Sequence, residues 1–275
     1  MNDKNITIIK PKYGWQVVNL NELWNYRDLF YFIVYRDIKT RYAQSILGVG
    51  WAVIQPLFSM IVFTIIFGKL AKINSDGVPY FIFSYTALVP WTYFSSALAG
   101  SSSSLVGSSN MIKKIYFPRI VIPLAPVISK LIDFSIAFVL LIAMMIYMGY
   151  YPGVNLVLLP ILILLMMLTS SGIGMILTAL AVQYRDVNYG TGFLIQLMMY
   201  GAPVIYPASN IPEKFTFLYG FFPMVAVIEG FRAILLKTRA IPWDFIYTGY
   251  FVAIIIFIYG SYYFKKMERY FSDVV

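Results

Sequence analysis

Residues 29–57, LFYFIVYRDIKTRYAQSILGVGWAVIQPL, carry a seven-residue apolar run, a cationic cluster and the start of a long uncharged segment in direct succession. Leu29 to Tyr35 cannot cross a bilayer, because a spanning helix needs about 20 residues. Around it, Leu23, Tyr26, Phe30, Ile33 and Val34 recur at helical spacing on one side. Asn21, Asn25, Asp28, Arg36 and Lys39 fall mostly on the other, and Phe32 interrupts that polar face. The pattern predicts an amphipathic helix in the membrane interface, with Arg27, Arg36, Lys39 and Arg41 against an anionic leaflet. A solvated surface helix is the alternative. Twenty uncharged residues from Val49 to Gly68 follow at once, and they favour the membrane reading.

Composition points the same way. Of 275 residues, 60% are hydrophobic and 12% charged, about half the ~25% charged content of soluble domains. The expectation is an all-α polytopic membrane protein. Asp3, Lys4, Lys10 and Lys12 precede any apolar run, so no secretory signal is expected. With no Cys and no His, the chain has no disulfide, thiolate nucleophile or imidazole metal ligand. The +9 formal charge sits beside apolar segments rather than along a soluble face, which argues for membrane orientation and against nucleic acid.

Six crossings are expected, at about Val49–Gly68, Tyr80–Ala99, Arg119–Met148, Leu156–Val182, Tyr189–Ile205 and Phe245–Phe264. Residues 1–48 form a tail, with Trp15 at its interface, followed by the interface helix; residues 49–275 form the six-span region. After the second span a serine-rich exit runs from Gly100 through Ser101–Ser104 to Ser109. Fourteen Lys and Arg fall in the amino-terminal region, the 2–3 and 4–5 loops and the tail, against six in the opposite loops. The excess places both termini in the cytoplasm.

The connection between spans 5 and 6, about 209–239, holds FTFLYGFFPMVAVI, fourteen uncharged residues too few to cross and too apolar for an open loop. A re-entrant helical pair is predicted, with an external amphipathic helix on lipid as the alternative.

Candidate chemistry is sparse. No G-x-x-x-x-G-K-[ST] loop occurs and the twelve acidic residues are scattered, so neither an enzyme nor a metal or cofactor site is expected in this chain. Lys130 and Asp133, three apart inside a span, read as a mutually neutralised structural pair, with a proton relay as the sharper alternative. Tyr85, Trp91, Tyr93, Phe94, Tyr200 and Tyr206 are candidates to line a passage for sugars, through flat rings and phenol hydroxyls, or else belong to interfacial belts. Glu229 and Arg232, three apart beside the non-spanning stretch, are predicted to pair as an outer gate.

YRDLFYFIVYRDIKTRYAQSILGVGWAVIQPL, IKKIYFPR, QYRDV and FPMVAVIEGFRAIL occur in that order. Together they resemble the membrane subunit of type-2 ABC exporters of bacterial cell-surface polysaccharide, a group that handles O-antigen, capsule and teichoic-acid polymers. The resemblance implies a homodimer in the bacterial inner membrane with two cytoplasmic ATPase subunits, which carry the ATP and Mg, and a lipid-linked polysaccharide as substrate. It also implies that a coupling loop at about 107–120 docks on the ATPase, with Met111, Lys113, Lys114, Phe117 and Arg119 in contact. Arg36, Asp37, Lys39 and Arg41 would face that partner or the lipid headgroups, and Arg185 with Asp186 would cap the cytoplasmic turn. An ATP-independent carrier relying on Lys130 and Asp133, and a membrane glycosyltransferase, are the competing classes.

Overall fold

The computed structural model of the chain describes residues 20–43, 47–112, 117–184, 186–268 and 271, and every regular element among them is a helix. Trp15, Lys113, Lys114 and Arg185 lie outside the described residues. Helices α1 (Leu20–Asn25) and α2 (Arg27–Ala43) are separated at Tyr26. Then α3 (Gly50–Phe63) passes into a π-helical stretch, Thr64–Leu70. Next come α4 (Tyr80–Gly107), the single turn α5 (Ser109–Ile112) and α6 (Val121–Tyr147). A 3-10 turn, Val154–Leu158, leads into α7 (Leu159–Gln183), followed by α8 (Asp186–Gly201), α9 (Glu213–Gly220), α10 (Pro223–Leu235) and α11 (Trp243–Met267).

Among the described residues, four helical stretches are long and apolar enough to cross a bilayer: Gly50–Leu70, Val121–Tyr147, Val154–Gln183 and Trp243–Met267. Pro56, Pro90 and Pro126 sit inside α3, α4 and α6, as membrane helices tolerate where neighbouring groups satisfy the freed carbonyls. Helix α4 has the length of a span, 28 residues, but carries seven serines. It is the centre of the bundle, packed on α6, α7, α10 and α3, with 18 buried residues.

Two sequence-based boundaries shift. The expected serine-rich exit is part of α4, because its hydroxyls satisfy helix carbonyls: Ser103 donates to Ala99 O, Ser104 to Ser101 O, and Ser101 across to Pro123 O at 2.7 Å. The expected fifth span ends early, at Gly201, which leaves α8 only 16 residues long. Ala202–Ile205 follows as a buried, non-helical segment.

Helices α9 and α10 bend by 106° at a two-residue break, Phe221–Phe222. Every residue of α10 is buried. Phe222 reaches the ring of Phe94 midway along α4, whereas Glu213 and Ala233 line one cavity at the other extreme of the pair.

Packing divides into two apolar clusters. The larger joins α4, α6, α7, α10 and α11 through residues such as Tyr93, Phe134, Leu165 and Phe231. The smaller lies at one end of the bundle and joins Ile33 of α2 to Leu105, Phe117, Val121, Met175, Phe264 and Phe271. Leu23, Tyr26, Phe30, Ile33 and Val34 form the inner face of α1 and α2, as their spacing predicts. That face rests on protein rather than lipid, and Trp24, Tyr31, Phe32 and Tyr35, each about half exposed or more, point outward. Phe32 thus belongs to an outward aromatic face.

Among the described glycines, the closest approach is glycine on glycine. A Cβ at Gly260 of α11 would stand 2.3 Å from the Gly172 carbonyl oxygen of α7, so only hydrogen fits. Gly260→Ala is expected to lower the melting temperature by the equivalent of about 1–3 kcal/mol. Gly190→Ala, inside α8 where an added Cβ meets nothing within 4 Å, is expected to leave it unlowered or slightly raised, since Ala is favoured over Gly in a helix. Equal melting of the two variants in detergent would refute this packing.

Candidate functional site

Two ionic assemblies stand in the bundle, one midway along α6 and one on α10. Asp133 of α6, facing α2, is the centre of the first. Arg41 Nη1 stands 2.6 Å from its Oδ2 and Lys130 Nζ 3.2 Å from the same oxygen, while the Tyr42 hydroxyl donates to Oδ1. Lys130 and Asp133 are one helical turn apart, but Arg41 and Tyr42 arrive from 92 and 91 residues away and fasten α2 to the bundle. Burial, reinforced by Asp133, pushes the Tyr42 phenol up to about 12, so it stays a donor throughout the physiological range. A carboxylate with three partners on two elements is a fastening, which supports the structural reading of Lys130 and Asp133.

Nearby, the residues expected to meet a partner divide. Phe117, 4% exposed, is packed in the smaller cluster with Ile33 and Phe264, so its ring has no surface left for docking. Met111 is half-buried against the same cluster. The Arg119 guanidinium donates to Glu268 O at 3.0 Å and its amide to Glu268 Oε1 at 3.3 Å, which joins the start of α6 to the end of α11. Lys265 also reaches Glu268, at 2.9 Å. Arg36 and Asp37 pair side by side at 3.0 Å, and Lys39 is exposed. Arg41 turns inward to Asp133. Of the four expected contacts on α2, Arg36, Asp37 and Lys39 are therefore the ones left accessible to a partner.

On α10, the expected pair of Glu229 and Arg232 is present and deeply buried. Arg232 Nη1 stands 2.9 Å from Glu229 Oε1, and the two side chains are 1% and 7% exposed. Arg232 also donates to Val204 O at 3.0 Å and Tyr206 O at 3.3 Å, and its guanidinium carbon sits 3.5 Å from the centre of the Phe83 ring. Glu229 Oε1 accepts from the Ala208 amide at 3.2 Å. One ion pair on α10 thus holds the irregular backbone after α8. Its Nε is buried without a hydrogen-bond partner, the one such side-chain atom among the described residues. The Tyr80 hydroxyl, bonded to Ile205 O at 2.7 Å, fastens the same segment to the start of α4.

The aromatic candidates for a passage separate as well. Tyr85, Trp91, Tyr93 and Phe94 are at most 3% exposed inside the chain's own core, and Tyr93 donates to Val127 O at 2.8 Å. Side chains enclosed in this way offer no wall to a passage: Tyr85 and Tyr93 reach α6, and Phe94 packs on Trp91 and Phe222. Tyr200 is exposed, and its carbonyl accepts the Tyr206 hydroxyl at 2.9 Å. These two sit beside the Glu229–Arg232 pair. Sequence reading missed Arg41, Tyr42 and Glu268 as partners, and Val204 and Tyr206 as the carbonyls that Arg232 holds. All are long-range contacts without a local signal.

Comparison with known proteins follows this geometry. Residues 28–236 match the family model described as ABC-2 type transporter. A Klebsiella pneumoniae protein described as "O-antigen export system permease protein RfbA" is 29% identical over 268 residues, 97% of this chain and 99% of its own length. A Myxococcus xanthus protein of the same description is 29% identical over 222 residues, 80% and 85% of the two chains. The "Polysialic acid transport protein KpsM" of Escherichia coli is 23% identical over 199 residues, 70% and 76%.

Removing the central carboxylate tests the α2 fastening. Asp133→Asn leaves Arg41 and Lys130 facing each other half-buried and is expected to cost ~1–3 kcal/mol. Hydrogen exchange over residues 27–43 should then rise, and more than in Arg41→Gln, which keeps the Lys130 pair. Unchanged exchange would show that α2 does not depend on Asp133.

Proposed function

Because the chain belongs to the ABC-2 type transporter family, we infer that it is the membrane permease subunit of an ATP-driven exporter of cell-surface polysaccharide, with ATP hydrolysis on a separate subunit. The single observation that carries this reading is the near end-to-end similarity to an O-antigen export permease. O-antigen-like polymer is the first substrate class, and the polysialic acid transport relative supports capsule polymer as the second. A carrier driven by Lys130 and Asp133 is not favoured, since Asp133 is occupied by Arg41 and Tyr42.

The finer reading is a homodimer in the bacterial inner membrane, each copy with six crossings and both termini cytoplasmic, working with two ATPase subunits on a lipid-linked chain. Four apolar spans, the 28-residue α4 and the short α8 supply the crossings. The excess of Lys and Arg at the α2 end supports the orientation. Helices α9 and α10 then form a re-entrant pair from the outside, which the sharp bend and the burial of α10 support. Within this reading Met111, Lys113, Lys114, Arg36, Asp37 and Lys39 meet the ATPase. Arg119 and Arg41 carry its motion into α11 and α6 as rigid bodies. Glu229 and Arg232 hold the outer segment closed, and Tyr200 and Tyr206 stand at its edge.

Charge reversal at Lys113 and Lys114 together is expected to reduce surface polymer at least tenfold in intact cells, with the chain still at normal level in the membrane fraction. Surface polymer at wild-type level would remove the docking assignment. Glu229→Ala and Arg232→Ala are each expected to impair export beyond any fall in membrane level, because each releases the Val204–Ala208 backbone. Normal export by both would refute the outer holding role.

A further inference from the structure

Between the arms of α9 and α10, at the end away from their bend, lies a half-open cavity of about 270 Å³, lined also by the residues that lead into α11. That volume lies near the small end of the ~300–1,000 Å³ range of ligand sites, which suits one sugar ring better than an oligosaccharide. Glu229 forms the wall nearest the core. Its carboxylate is held before any ligand arrives, by Arg232 at 2.9 Å and by the Ala208 amide at 3.2 Å, both on one oxygen. Ser209, Thr216 and Thr238 bring hydroxyls from three separate segments, and the half-buried Phe245 supplies an aromatic ring. A fixed carboxylate, several hydroxyls and one flat ring form the donor and acceptor set that fits a polyol.

Charge narrows the class. Arg232 neutralises Glu229 from behind, and Arg239, the one cation among the lining residues, is committed to Asp76 at 3.1 Å. Glu213 and Glu229 both line the cavity against the single lining cation Arg239, itself paired with Asp76, so a carboxylated or phosphorylated ligand would meet more negative than positive charge.

We propose that this cavity binds a single neutral sugar residue, its hydroxyls donating to Glu229 and its C–H face resting on Phe245. The proposal rests on the exporter reading and gives that reading an outer contact for the emerging polymer. The sugar would lie directly against the ion pair that holds Val204 and Tyr206. Occupancy would thereby be linked to the state of the outer segment.

The test is saturation-transfer NMR on the full-length subunit in a detergent without a sugar headgroup. The probes are the methyl glycosides of glucose, galactose, mannose and rhamnose, with N-acetylneuraminic acid as the acidic probe. At least one neutral glycoside should show transfer and the acidic sugar none. Thr216→Trp and Ser209→Trp, which fill the cavity from opposite sides at half-buried and exposed positions, should each reduce the signal at least fivefold. Absence of transfer from all four glycosides, transfer undiminished from wild type in both tryptophan variants, or binding of the acidic sugar equal to that of the neutral glycosides would overturn the proposal. Surface polymer in a deletion strain separates the two claims. Polymer lost from that surface, together with no glycoside binding, overturns the cavity alone; polymer unaffected overturns the exporter reading on which the cavity depends.

Discussion

Polar groups withdrawn from water must find partners within the protein, and this constraint shapes every part of the bundle. Buried Ser and Thr hydroxyls return their protons to helix carbonyls: Thr86 to Ile82, Thr169 to Leu165, Ser170 to Met166, and Thr178 to both Gly174 and Ser101. The arginine of α10 is the extreme instance. Arg232 is satisfied by a carboxylate one turn away, by two carbonyls of the preceding irregular segment and by an aromatic face, with Nε alone left over. Non-helical backbone at 202–206 is possible in this interior because that guanidinium receives its carbonyls.

The same constraint connects the ends mechanically. Helix α4 contacts most of the bundle, and polar contacts fasten it sideways through Ser101 to α6 and through Ser102 to Asn188 and Thr191 of α8. Asp133 takes Arg41 from α2 midway along α6, and Glu268 takes Arg119 from the start of α6, so that α2, α6 and α11 are tied to one another. In the exporter proposed above, these fastenings would be the route by which motion of a short surface helix reaches the long helices. A coupling of this kind needs stiff elements with few alternatives, and the Gly172–Gly260 contact is of that character.

Much of the architecture was legible because hydropathy and charge act locally. The spans at 50–70, 121–147, 154–183 and 243–267, the buried pair of Glu229 and Arg232, and the odd stretch between α8 and α11 all follow from residues near one another in sequence. Long-range partners did not. Asp133 looked self-sufficient beside Lys130, yet Arg41 and Tyr42 complete it from α2. The tyrosines and phenylalanines of α4 looked like a passage, but sequence cannot tell an inward ring from a pore-facing one when both faces of a helix are apolar. Phe117 sits among cations and was read as surface, whereas its ring is enclosed by the smaller cluster. The serines after Gly100 read as an exit from the second span, whereas they continue α4 with their hydroxyls on helix carbonyls.

The most direct measurement of the central claim is where the polymer resides when the chain is absent. In a deletion strain, lectin or antibody labelling of intact cells should fall to background while labelling of lysed cells shows polymer retained inside, and expression of the intact chain with its ATPase should restore the surface signal. Full surface labelling in the deletion strain would contradict the account.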